Sequence, residues 1–289
     1  MENYSIWLIE YAYCSTQPVS SLVYSKHNQG LRTIPFSFMI LKGNNHVVAV
    51  DTGYFDEGYG HELTLKFGVD KVKSIDTALK EIGVDGAEVD TVILTHAHYD
   101  HMGGIKAFPN AHFFIQEREL LEWIKVLALP RQYDFLSAAI DPNDIRNAID
   151  LMAQKRLTLI SGAVENLLPG ISLVPAFDSH TYGLQLVVIN NHDDQGELDP
   201  WVFTSDACYS FENFGGEDGT YFPVGFGVGN LTEMVKALDA IRRLSRNRLD
   251  RLIIPHDQDM WKIYPSRPTS DGMHVAEVYL SNVPSPKNT

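Results

Sequence analysis

The chain has 289 residues, and its 44% hydrophobic and 21% charged residues are ordinary for a soluble globular protein with room for a deep core. The formal net charge of −14 and the lack of any long basic run count against a nucleic-acid partner. The opening residues Met1-Glu2-Asn3-Tyr4-Ser5 form no basic leader, and no apolar run approaches membrane-spanning length. Cys14 and Cys208 cannot define a disulfide framework, so a reducing cytoplasm is the expected setting.

Ile6 to Tyr13 is predicted as a first strand. Pro35 to Leu41 and His46 to Val50 are the next two, turning through Lys42-Gly43-Asn44-Asn45. Between the first and second, Gln17 to Thr33 is polar and turn-rich, a loop expected to reach over a site. Asp51-Thr52-Gly53 closes the third strand. Ser74 to Ile82 fits a helix with Ser74 as N-cap, Ile75, Leu79 and Ile82 on one face, and Gly83 as its stop.

The next strand, Thr91-Val92-Ile93-Leu94, runs into Thr95-His96-Ala97-His98-Tyr99-Asp100-His101, where four potential metal ligands are packed together. His96 and His98 share parity, so on an extended backbone both rings point the same way. Asp100 and His101 then diverge, which suits a second centre beside the first. Gly103 and Gly104 allow the backbone to turn under a metal without a Cβ clash. Clustered imidazole and carboxylate groups are what zinc-like metals select.

Ala111 to Gln116 is another short strand, with His112 a structural residue inside it. From about 117 to 154 the chain becomes rich in Leu, Ala, Ile and Trp, and Pro130 and Pro142 break it into two or three helices. Strand signals resume at Leu157-Ile160, Ile171-Val174, Leu184-Ile189 and Trp201-Thr204, and Leu252-Ile254 is the last. Asn191 to Pro200 is an acidic loop, with His192 at the surface. Asn230 and Glu233 form a capping-box pattern for a helix with Leu231, Met234, Val235, Leu238, Ile241 and Leu244 on its apolar face. Gly225-Phe226-Gly227-Val228-Gly229 follows no strand and is expected to be a flexible turn. The pattern describes an α/β chain of two successive sets of strands and helices, with no linker and no short-period repeat.

His-x-His-x-Asp-His after a strand resembles the signature of the metallo-β-lactamase superfamily of hydrolases. The resemblance implies an αβ/βα sandwich over residues 1–289 as a single domain, with the helical segment at about 117–154 inserted between the halves and the metals at one edge between the sheets. His180, before Thr181-x-Gly183, occupies the place of the family's downstream histidine, although Asp178-Ser179 stands where relatives usually show Pro-Gly. Asp206 matches the bridging carboxylate and His256 the final histidine, each just after a strand. The implied cofactors are two divalent metal ions, Zn2+ being the expected identity: one on His96, His98 and His180, the other on Asp100, His101 and His256, with Asp206 between them. Asp51 would support the site from beneath. Asp178 and Asp257 are the nearest confusable carboxylates, and Cys208 is an alternative soft ligand.

Such a pair of metals implies hydrolysis. Tyr209, three residues beyond Asp206 and followed by Glu212-Asn213, resembles the N-acyl-homoserine lactonase and pyridoxolactonase-like branch. There a bridging hydroxide oriented by the residue at Asp100 opens a lactone, while the phenol stabilises the oxyanion. Asp100 and Tyr209 are therefore the expected catalytic residues, and a small lactone or similar cyclic ester is the expected partner. The oligomeric state is left open. Other esters, thioesters and cyclic amides are the competing bonds, and a redox di-iron centre is the competing chemistry. A β-lactamase would be exported, and the Pro/Ser-rich tail soon after His256 leaves little room for a glutathione-binding helical domain. Phe36, Phe38, Met39, Trp123, Phe135 and Tyr182 are candidates for an apolar pocket.

Overall fold

The computed structural model describes residues 2–215 and 219–281. The strands are β1 (Ser5–Pro18), β2 (Leu31–Gly43), β3 (His46–Val50), β4 (Lys71–Val72), β5 (Thr91–Ile93), β6 (His112–Gln116), β7 (Leu157–Ile160), β8 (Val164–Leu168), β9 (Ile171–Pro175), β10 (Gln185–His192), β11 (Leu198–Phe203), β12 (Leu252–Ile253), β13 (Ser266–Pro268) and β14 (His274–Tyr279). The helices are α1 (Val19–Leu22), α2 (Tyr59–Phe67), α3 (Ile75–Lys80), α4 (Tyr99–Met102), α5 (Glu117–Leu127), α6 (Pro142–Ala153), α7 (Leu231–Leu244) and α8 (Met260–Ile263).

Among the described residues these strands form two sheets. The first has the order β13-β14-β1-β2-β3-β5-β6-β7, with β4 also paired to β1; the second has the order β12-β11-β10-β9-β8. Alternation along the strands of the first sheet sorts its two faces. Ile6 and Leu8, Met39 and Leu41, and Val48 and Val50 pack with Leu173, Leu186, Ile189, Trp201 and Phe203 of the second sheet. Ile9 and Tyr11, Phe38 and Ile40, Ala49 and Val92 turn the other way, onto Ile75, Ala78 and Leu79 of α3, Leu120 and Trp123 of α5, and Ile145 and Ala148 of α6. Ala237, Leu238 and Ile241 of α7 join the cluster of the second sheet. The result is the helix-flanked pair of sheets that the family resemblance implies.

Several expectations change. Leu252-Ile254 is not the final strand: β13 and β14 follow it, and β14 returns to pair antiparallel with β1. The two sets of strands are therefore not successive, since β13 and β14 return to the first sheet, and the helical segment at about 117–154 lies within the first sheet's run, between β6 and β7, rather than between the halves. Their signals are weak because His274 and Glu277 interrupt β14, and Pro268 and Arg267 sit in β13. β8 is a half-buried edge strand with little hydrophobic pattern. Much of the Gln17–Thr33 stretch is regular, taken up by the end of β1, by α1 and by the start of β2. On α7, Leu231 and Val235 are exposed and Ala237 completes the buried face. The helical stretch after β6 is two helices joined by a 3-10 segment, Arg131–Ser137. The Pro/Ser-rich tail lies outside the described residues.

Candidate metal centre

Strand pairing brings most of the site to one edge. β3 and β5 run parallel with Val50 opposite Ile93, so Asp51 and the Thr95–His101 turn emerge side by side. β11 and β12 run parallel with Phe203 opposite Ile253, so Asp206 and His256 also leave together. His180 sits in the turn between β9 and β10.

The seven expected ligand side chains fall into two groups, His96, His98, His180 and Asp206 in one, and Asp100, His101 and His256 in the other. One potential ligand atom from each lies within 4.8 Å of the rest of its group. All seven are buried. Asp206 lies between the groups. Its Oδ1 is 3.1 Å from His101 Nε2 and 3.3 Å from His256 Nε2, while its Oδ2 is 3.3 Å from His180 Nε2 and 3.8 Å from His96 Nε2. Asp100 Oδ2 is 3.4 Å from His101 Nε2 and 3.7 Å from His256 Nε2.

The donor set fits divalent cations. His180 Nε2 faces His98 Nδ1 at 3.1 Å, and His256 Nε2 faces His101 Nε2 at 3.4 Å. His96 Nε2 and Asp206 Oδ1 are buried without a properly oriented hydrogen-bond partner. Buried polar atoms left this way are rare, and converging imidazole nitrogens with carboxylates are the usual cage for a zinc-like ion.

The surrounding bonds aim those atoms inward. His256 Nδ1 lies 2.7 Å from the Pro35 carbonyl, which can only accept, so the N–H sits on Nδ1 and Nε2 keeps its lone pair for the site. His101 Nδ1 is held 2.8 Å from Asp51 Oδ2. Asp51 also accepts from Thr95 N at 2.8 Å and Thr95 Oγ1 at 2.9 Å, and Ser205 Oγ donates to Thr95 Oγ1 at 2.7 Å. Ser205 and Asp51 both adopt left-handed backbone, φ +47° and +62°, a strained choice for non-glycine residues that aims their neighbours at the centre. Tyr11 Oη donates to the Asp100 carbonyl at 2.8 Å. A Cβ on Gly103 would come 2.6 Å from Tyr54 Cβ, and one on Gly104 2.2 Å from the Thr52 carbonyl oxygen, so close backbone approach explains both glycines.

Burial and neighbouring imidazoles lower the proton affinity of His96, push His98 down to about 3, and keep His180 below its ordinary value despite Asp206. Burial opposes charge on His101 too, but Asp206, Asp100 and Asp51 outweigh it and hold its pKa well above the usual value. Burial would raise Asp206, yet His101, His256, His180 and His96 keep it far below the carboxylate range.

Tyr209 donates its phenol hydrogen to Asp206 Oδ2. Its ring stacks on His256 with centroids 4.8 Å apart and packs edge-on against Phe226 at 4.8 Å. Of the proposed pocket residues, Phe36 meets His256 at 5.2 Å and Trp123 meets His98 at 5.9 Å and Tyr182 at 5.0 Å. Phe38 and Met39 are core, and Phe135 is 87% exposed in the 3-10 segment. The Gly225–Gly229 turn packs against the site. Val228 N donates to the His180 carbonyl at 2.9 Å, and Phe226 lies 5.7 Å from the His180 ring.

The confusable groups are engaged elsewhere. Asp178 pairs with Arg118, Asp257 accepts from Phe211 N and Asp259 N, and Cys208 Sγ donates to the Ser210 carbonyl. Sequence reasoning missed Glu119, Ser205 and Phe226. Glu119 is fully buried, although Glu117-Arg118-Glu119 looks like a solvated helix start; its place at the third position of α5, next to the strand end, was the available signal.

Residues 32–156 match the metallo-beta-lactamase superfamily. The chain is 22% identical over 242 residues to N-acyl homoserine lactonase AiiB of Agrobacterium fabrum (strain C58 / ATCC 33970), covering 79% of this chain and 81% of that protein. It is 30% identical over 170 residues to an N-acyl homoserine lactonase of Bacillus cereus, covering 59% and 55%. A crystal structure of a quorum-quenching N-acyl homoserine lactone lactonase superposes with a TM-score of 0.66 at 21% identity, over 94% of this chain and 99% of that one. AidC, a dizinc quorum-quenching lactonase in complex with its product, superposes at 0.66 with 16% identity, over 97% of each. The two sheets, the residues that gather at their shared edge and these similarities agree: residues 32–156 match the metallo-beta-lactamase superfamily, the whole chain shares the fold of these solved structures, and hydrolases are among its relatives.

Proposed function

We propose that this protein is a dinuclear-metal lactonase that opens a small lactone ring, with N-acyl homoserine lactones the leading substrate class. The observation that carries the proposal is the split of the Asp206 carboxylate. One oxygen faces His101 and His256 and the other faces His96 and His180, the arrangement expected of a ligand shared by two ions. The similarity to N-acyl homoserine lactonases supports the choice of bond.

Two divalent ions, Zn2+ in this proposal, would supply Lewis acidity and a water acidic enough to attack at neutral pH. His96, His98 and His180 would hold one, Asp100, His101 and His256 the other. Asp100 orients the attacking water toward the ester carbonyl. Tyr209 turns its O–H from Asp206 Oδ2 to the carbonyl oxygen as negative charge builds there. The ring C–O bond then breaks, the alkoxide takes up a proton, and the product is the open hydroxy acid. Phe36, Trp123 and Phe226 set apolar rings against His256, His98 and His180, which keeps water from those sides of the site.

The test is a panel of γ-lactones, other esters, thioesters and cyclic amides offered to metal-loaded protein. Acid release from acyl homoserine lactones, above that from the rest, supports the assignment. Cleavage of another bond with every lactone untouched removes it.

A further inference from the structure

Glu119 is buried at the third position of α5, where a helix N-terminus favours negative charge. It accepts four hydrogen bonds. Oε1 takes those of Ala97 N at 2.9 Å and Trp123 Nε1 at 2.7 Å; Oε2 takes those of Thr181 Oγ1 at 2.8 Å and Gly183 N at 2.6 Å. Ala97 lies between His96 and His98, and Thr181 follows His180. One carboxylate therefore ties together the two loops that carry the three histidines of the first ligand group. Those loops leave different sheets, one after β5 and the other between β9 and β10, so no strand pairing within a single sheet sets their spacing. The backbones also touch here: a Cβ on Gly183 would lie 2.3 Å from Glu119 N and 2.6 Å from its Cα. Thr181 and Gly183 thus both serve the contact with Glu119.

We infer that Glu119 is a positioning residue, which fixes His98 and His180 at the separation a bound metal requires and so couples α5 to the metal centre. The inference rests on the metal-centre reading above. Ala97 N, Gly183 N and Trp123 Nε1 can only donate, and both carboxylate oxygens can accept two bonds each. An amide at this position would turn an N–H toward at least one obligate donor. Removing the side chain would leave its donors buried and unpaired.

The test uses full-length Glu119→Gln and Thr181→Val proteins, stripped of metal. Each is titrated with Zn2+ in competition with a chromophoric chelator, then loaded with Co2+ for its visible spectrum. For Glu119→Gln we expect one of two Zn2+ equivalents to weaken by about 10–100-fold while the other is held as in wild type. Its Co2+ spectrum is expected to change. Thr181→Val moves the same way by less, and it decides the question if Glu119→Gln does not fold. Wild-type Zn2+ affinity at both sites with an unchanged Co2+ spectrum, even with a lowered melting temperature, would make Glu119 a structural brace and overturn the inference. Neither readout depends on lactone turnover. A wild-type chain that takes up no Zn2+ at all would instead remove the metal-centre reading, and this inference with it.

Discussion

Asp51 Oδ2 lies 2.8 Å from His101 Nδ1, with both residues buried, and Asp51 holds this position through a left-handed backbone and two bonds from Thr95. The carboxylate thereby selects the tautomer that leaves His101 Nε2 facing Asp206. Replacing Asp51 by Asn weakens that selection without emptying the space. Zn2+ affinity is expected to fall by about 10–100-fold, measured by competition with a chelator, with the far-ultraviolet circular dichroism unchanged.

Tyr209→Phe removes the phenol from Asp206 and from the proposed oxyanion while keeping the ring stack on His256. The kcat on the best lactone should drop by up to about 10²-fold, at the low end for loss of one oxyanion donor, with KM changing less. Steady-state kinetics at saturating metal decide this. An unchanged kcat/KM would take the phenol out of the mechanism.

The sequence made half of this legible. His96, His98, Asp100 and His101 are neighbours along the chain, so local spacing alone displays them, and His180, Asp206 and His256 each follow a strand. The relation of β14 to β1 was hidden because periodicity identifies a strand but not its partner, and Ile9 meets Val275 only across the whole chain. Glu119 and Ser205 were hidden for a similar reason. Their partners, Thr181 and Thr95, lie far away in sequence, and each side chain looks like a solvent-facing group until the loops meet.

Gly229 closely approaches the His180 loop: an added Cβ would sit 1.7 Å from the Ser179 carbonyl oxygen and 2.4 Å from that of Asp178. Backbone cannot yield as a side-chain tip does. Gly229→Ala should cost about 1–3 kcal/mol in stability and displace His180, visible as a lowered melting temperature and weaker metal binding together.

Asp144 lines a cavity of about 480 Å³ beside Tyr99, Lys106 and Asp141, and its Oδ2 is buried without a partner. Burial first, and then the Asp141 carboxylate, push its pKa up to about 8. The unfolded chain loses this proton near pH 4, so between about pH 4 and 8 the folded state binds more protons and stability falls as pH rises. Asp144→Asn should remove that slope. Its melting temperature should match wild type near pH 4 and exceed it near pH 8, by an amount on the order of a few kcal/mol in stability. Parallel pH-dependent melts check this.

The central claim is that two cations held by these seven side chains open a lactone. It is tested most directly by titrating metal-free protein with Zn2+ while following both bound metal and acid release from an N-acyl homoserine lactone. The account predicts no turnover in the apo form, full turnover only as the second equivalent binds, and loss of both on replacing Asp206 by Ala. Turnover by metal-free protein, or saturation well below two equivalents in active enzyme, would contradict it.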